Sequence, residues 1–330
     1  MAFGGNTYVY VGAESYGLYR LSPGSDRWEK LTSGLPERVQ VQGIALHPNS
    51  PKVVYAGTND GPYRSIDRGN HWERLDYPRG GPGVWSFLFR PGDPNVMYLG
   101  TAPGEIYRSA NGGDSWQKLS ATMGSNECKM AFPTRVIALA ADPNFPDEVY
   151  AGLEVAGVIR SSDGGDTWEE ITGSLAPSED TLDLHGVQCT AASPHTVFIT
   201  TRQGPFIGPE RGREWIPVDF GKYSEITYTR DLFAVPHDPN MLYVSIGAAA
   251  RSNRGALYRS RDLFRTFEKV GSGVTTNSTM MAVRVDPRTP SNVFCVARDG
   301  EAFGSTNDGV TWTAYPLPEE AKEVRGLAIG

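Results

Sequence analysis

The stretch SSDGGDTW, Ser161 to Trp168, decides the fold because the chain repeats it. The same phrase, here called the box, returns as SIDRGNHW (65–72), SANGGDSW (109–116) and STNDGVTW (305–312). Weaker copies are LSPGSDRW (21–28), GPERGREW (208–215) and SRDLFRTF (260–267). The closing aromatics, Trp28, Trp72, Trp116, Trp168, Trp215, Phe267 and Trp312, are spaced by 44, 44, 52, 47, 52 and 45 residues. A period in this range marks a repeat architecture.

Two short apolar runs precede each box, VYVG, VVYAG or EVYAG and then GLYRL, GPYRS or GVIRS. Alternating β-branched and aromatic residues bounded by Gly and Pro are strand signals. A third run, such as GIALHP, SFLFRP or MAVRVDP, comes earlier, and a fourth strand starts at the box Trp. Four strands in roughly 45 residues predict one blade of a β-propeller. The fold class expected is all-β, a seven-bladed propeller over residues 1–330 as a single domain. The N-terminal TYVYVG lacks an inner strand of its own, and the C-terminal EVRGLAIG matches VQVQGIAL. The two termini are therefore expected to share the first blade, which removes open sheet edges.

The box resembles the Asp-box, or BNR, repeat of sialidase-like propellers, S-x-D-x-G-x-T-W. That resemblance implies that the box hairpin joins third and fourth strands, away from the active face, and that Asp67, Asp163, Asp262 and Asn307 are structural. Its Asp takes backbone N–H bonds inside the turn, its Gly supplies positive φ, and its Trp packs beneath. The sialidase catalytic motifs are not matched, since the nearest text to F/Y-R-I-P is FRPG, Phe89 to Gly92. Among proteins with such repeats, xyloglucan hydrolases use two propellers facing a cleft. Photosystem assembly factors are single seven-bladed propellers.

Composition bounds the partners. Of 330 residues, 39% are hydrophobic and 21% charged, and the net charge is −7. No basic block is present, which argues against a nucleic-acid backbone. No apolar run approaches membrane-spanning length, and no charged segment leads into an apolar one at the N-terminus, so a cytoplasmic monomer without membrane contact is expected. Cys128, Cys189 and Cys295 lack metal-type spacing, and the last two lie in apolar runs that predict inert buried thiols.

Insertions and slot residues locate the site. The long gaps fall in SATMGSNECKMAFPTR (120–135) and GAAARSNRG (247–255), both on the face away from the boxes, and insertions gathered on one face mark a binding face. At the start of the inner strands the aligned residues are Gln42, Trp85, Ile137, His185, Phe233, Met281 and Arg325. Two positions earlier stand Gln40, Gly83, Arg135, Asp183, Asp231, Thr279 and Glu323. Just past the second strands stand Glu14, Asn59, Ala102, Glu154, Arg202, Gly247 and Arg298. The residues vary around the ring in each slot, as a pocket for an asymmetric ligand requires.

From these slots, His185, Asp183 and Glu154 are the catalytic candidates, His185 as a general base. Arg135, Arg202, Arg298 and Arg325 could clamp a carboxylate or phosphate, and Trp85 could stack on a sugar ring. Glu14, Asn59, Glu154 and His185 could bring ligands to one axial ion, where carboxylate and amide suit Ca²⁺ or Mg²⁺ and the added His favours Mn²⁺ or Zn²⁺. The bland reading of each charged residue is an ion pair with its neighbour. The expected function is a hydrolase or lyase acting on an anionic or sugar-like small molecule, with or without a divalent metal. The alternative is a scaffold that docks a protein partner on the insertion-bearing face.

Overall fold

A computed structural model describes residues 3–15, 17–123, 132–175 and 178–330; Cys128 and half of the 120–135 insertion lie outside them. Among the described residues, seven four-stranded antiparallel sheets form a ring. The inner strand of blade 1 is the C-terminal Val324–Ile329, paired with Val9–Ala13. The other inner strands are Val41–His47, Gly83–Arg90, Arg135–Asp142, Leu184–Cys189, Tyr228–Ala234 and Met280–Val285. The fold is thus the seven-bladed propeller closed by both termini. No helix among the described residues is long and apolar enough to cross a membrane.

Burial peaks at the second strand of each blade and falls toward the outer one. Second strands such as Val9–Ala13, Val197–Thr201 and Val293–Ala297 are buried at every position, because neighbouring blades cover both faces. Outer strands such as Glu169–Glu170 are exposed. Cys189 and Cys295 are buried free thiols whose pKa values burial pushes up.

The box geometry explains its recurrence. Asp163 Oδ1 accepts from Thr167 N–H (2.9 Å) and Ser161 Oγ (2.7 Å), Ser161 Oγ accepts from Gly165 N–H (2.8 Å), and Trp168 Nε1 donates to Gly165 O (2.9 Å). Gly165 has φ +97°, and Phe264 holds the same position in its own turn at φ 70°. The turns also join blades. Tyr98 Oη and Arg108 Nη1 both donate to Gly164 O of the next blade at 2.8 Å. Tyr10 with Arg20 and Tyr55 with Arg64 repeat this pair on Arg68 O and Gly112 O. The Tyr of VYAG and the Arg of YRS therefore recur because they staple one blade to the next.

Each inner strand carries a β-bulge near its start. The bulged residues are Gln42, Trp85, Ile137, His185, Arg230, Met281 and Arg325. Six match the expected slot, and the sixth blade corrects it. Arg230, not Phe233, is the bulged residue, and Tyr228, not Asp231, stands two positions earlier. Phe233 instead packs in the core between blades under Arg284, whose guanidinium lies 5.2 Å from its ring. Asp231 accepts from Val283 N–H at 3.1 Å. The displacement is three residues, the spacing between Pro236 and Pro239. In four other blades a Pro follows the bulge by six residues, and the one that keeps this rule here is Pro236.

Candidate functional site

The bulged residues of all seven blades line a narrow axial channel of about 170 Å³. A wider cavity of about 1210 Å³ opens on the face where inner strands begin and second strands end. Antiparallel pairing puts the box turns, which join third and outer strands, on the opposite face. The cavity is lined from blades 1, 4, 5, 6 and 7, and the described insertion supplies Ala248 to Arg251 and Arg254.

Cross-strand pairs set the first half of the site. Arg135 lies opposite Glu154 in the ladder of blade 4, and Arg135 Nη1 reaches Glu154 Oε2 at 2.8 Å. In blade 5 a single helical turn, Glu179–Leu182, delivers the chain into Asp183. Asp183 Oδ2 accepts from Arg202 Nε at 2.6 Å and faces His185 Nε2 at 3.4 Å. His185 Nδ1 donates to the Thr229 carbonyl at 2.6 Å, leaving Nε2 for Asp183 and for the Tyr228 hydroxyl at 3.2 Å. Glu154, Asp183 and His185 are all buried, and one ligand-capable atom of each lies within 4.8 Å of the others.

Burial pushes the Asp183 carboxyl upward, but His185 and Arg202 outweigh it and hold the group below the usual carboxylate range. Asp183 Oδ1 accepts no hydrogen bond from any described residue.

The second half is basic. Arg325 Nη2 pairs with Glu14 Oε2 at 3.1 Å, and Arg298 pairs with Glu323 and donates to Ala250 O at 2.9 Å. Burial and the neighbouring Arg325, Arg251 and Arg230 pull Arg298 down to about 10. Trp85 lies in the channel between two guanidinium groups, Arg135 at 4.4 Å and Arg325 at 5.8 Å from its ring. It anchors the arginines, and its ring faces them rather than an open stacking platform.

The expected residues are thus sorted. Glu154, Asp183 and His185 meet, with Arg135 and Arg202 against them, while Arg298, Arg325 and Glu14 form the other wall. The four-ligand ion set is not assembled as expected. Glu14 is paired with Arg325 outside the cluster, and Asn59 Oδ1 accepts from Gln40 N–H at 2.8 Å in blade 2. Asp183 takes their place beside Glu154 and His185. Arg230 and Tyr228 were missed. Burial opposes the charge on Arg230, but Tyr228, Glu154 and Asp183 outweigh it and hold the guanidinium protonated. Their signal was the proline count from Pro236.

No family model matches this chain. It is 28% identical over 246 residues to the xyloglucanase Xgh74A of Acetivibrio thermocellus, covering 63% of this chain and 28% of that protein. It is 25% identical over 289 residues to an oligoxyloglucan-reducing end-specific xyloglucanase of Emericella nidulans, covering 77% of this chain and 35% of that one. The chain thus spans about a third or less of the length of these relatives. Among solved structures, a GH74 xyloglucanase from Xanthomonas campestris superposes with TM-score 0.66 at 20% identity, over 87% of this chain and 46% of that one. YCF48 bound to D1 peptide superposes with TM-score 0.62 at 16% identity, over 89% and 86%. These likenesses support the propeller fold.

Proposed function

We propose that the chain is a hydrolase acting on a sugar-like substrate in the wide cavity, with Glu154 and Asp183 as the reacting carboxyl groups. The observation that carries this is the buried Glu154–Asp183–His185 cluster, in which two carboxyl groups stand close together beside open space. Close carboxyl pairs are the chemistry by which glycosidic bonds are cut. With the two groups this close, Asp183, held ionised, attacks the anomeric carbon and forms a glycosyl ester as the bond to the departing oxygen breaks. Glu154, protonated in the substrate complex, gives its proton to that oxygen and then takes one from the water whose oxygen displaces Asp183, and Arg135 stabilises the Glu154 carboxylate between the two steps. The xyloglucanase relatives favour hydrolysis over the lyase alternative.

A divalent ion on Glu154, Asp183 and His185 would have to share them with Arg135 and Arg202. We propose that the guanidinium groups supply the counter-charge instead. Elemental analysis of purified protein checks this, and one Zn or Mn per chain would move the chemistry to a metal-bound water.

The direct test is turnover on a panel of neutral and acidic oligosaccharides, xyloglucan fragments included. Glu154→Gln and Asp183→Asn should each lower kcat by about a hundredfold or more with Tm little changed. Full turnover in both variants would remove these residues from the chemistry. The scaffold reading is favoured by the likeness to YCF48, solved with a peptide. Tight binding of peptides in this cavity, with no glycoside cleaved, would establish it in place of the hydrolase.

A further inference from the structure

The charges of the cavity are unevenly shared between its two walls. On the wall from blades 4 and 5, Arg135 and Arg202 face Glu154, Asp183 and the exposed Asp180. On the wall from blades 6, 7 and 1, Arg251, Arg298 and Arg325 face Glu14 and Glu323, with Asp299 acting on Arg298 as well, while Arg230 stands between the walls and is drawn also to Glu154 and Asp183. The exposed Arg254 and Glu225 at the rim offset one another.

Glu323 serves three guanidinium groups at once, Arg298 closely, Arg251 at 3.4 Å and Arg325 at 4.0 Å. Arg325 has Glu14 besides, yet its Nε is buried with no hydrogen-bond partner among the described residues. The repulsion is visible in the acidity of the groups. Burial and then Arg230 lower the pKa of Arg325, as burial and three arginines do for Arg298. Holding like charges together in a buried wall is costly unless an anion offsets them.

We propose that this wall is an anion subsite that takes the carboxylate of a sugar acid, so that the substrates are uronate-bearing oligosaccharides. The assignment rests on the hydrolase reading for the fate of the ligand but not for its binding. The carboxylate seats against Arg298 and Arg325, with Arg251 closing over it from the insertion. Arg230, which feels both the carboxylates of one wall and the arginines of the other, marks the boundary. The glycosidic bond next to the uronate then falls toward Glu154 and Asp183.

The test is calorimetric titration of the Glu154→Gln/Asp183→Asn chain, so that turnover does not intrude. The probes are a glucuronate-bearing disaccharide, its neutral glucose counterpart and its sulfated counterpart. The uronate should bind about tenfold or more tightly than the neutral sugar, and Arg298→Gln should erase that preference. Arg251→Gln, at an exposed position that cannot unfold the ring, should weaken uronate binding without touching the neutral sugar. Equal binding of uronate and neutral sugar overturns the subsite, and equal binding of the sulfated sugar overturns its assignment to a carboxylate. Selective uronate binding with no hydrolysis by the unsubstituted chain would sink the hydrolase reading and leave the subsite standing. Hydrolysis of neutral sugars, unaffected by Arg298→Gln, would do the reverse.

Discussion

At the scale of single residues, the box aspartates show how a loud motif can be remote from the main cavity. Hydrogen bonds from Thr167 Oγ1, Thr167 N–H and Ser161 Oγ bring Asp163 down to about 2. A depressed carboxylate pKa contributes stability that is present above the ordinary value of 3.8 and is lost as pH falls through about 2. Asp163→Ala should therefore lower Tm at pH 7 and flatten its fall between about pH 4 and 2, with hydrolysis per folded molecule unchanged. Asp163→Asn should restore the neutral-pH Tm without the acid dependence. Asn307 already does this in blade 7, accepting from Thr311 N–H and Ser305 Oγ at 2.9 Å each. Differential scanning fluorimetry across pH reads both; an active-site phenotype in a stable Asp163→Ala chain would place the working face on the wrong side.

At the scale of the element, the closing strand Val324–Ile329 joins fold to site. It pairs with Val9–Ala13 along its length, buries Leu327 and Ile329 between blades, and presents Arg325 at its bulge. Truncation before Glu323 uncovers the edge of Val9–Ala13 and removes several core side chains, which should cost on the order of 5 kcal/mol or more. Leu327→Ala alone should cost about 2–4 kcal/mol in urea unfolding. A truncated chain that melts like the intact one would contradict the closure. The bulges are elements in the same sense, since each turns one side chain out of the ladder toward the axis. Their residues could be read in six blades because a Pro or a shared apolar pattern anchored the count. In the sixth blade two prolines competed, and the wrong one put Phe233 where Arg230 stands.

At the scale of the whole molecule, side-chain hydrogen bonds join neighbouring blades. Tyr98 and Arg108 share the Gly164 carbonyl, so either alone keeps that buried acceptor paired. Tyr98→Phe or Arg108→Leu should each cost about 1 kcal/mol, and the double variant more than their sum, because only then is the carbonyl orphaned. A double-mutant cycle by chemical denaturation measures the coupling, and strict additivity would show the staple to be two unrelated contacts. The same ring brings five separate blades to one cavity wall or another, and so creates a charge asymmetry that no one blade possesses.

The sequence by itself determined the blade count, the strand order, the terminal closure, the structural role of the boxes and the face that carries the cavity. These follow from short-range causes: alternation of side chains, local turns, and a period repeated often enough to average out degraded copies. It also marked Glu154, Asp183, His185 and the arginines, since each stands at the same end of its strand. Only the tertiary structure decided who meets whom. Glu14 and Asn59 occupy the same slot as Glu154, yet one pairs with Arg325 and the other bonds to Gln40 in its own blade. Asp183 joins Glu154 and His185, and Arg230 enters from a register that the prolines disguised. The reason is that slots fix height along the axis, whereas ionisation and ligand choice depend on through-space distances between blades, which the closed ring alone sets.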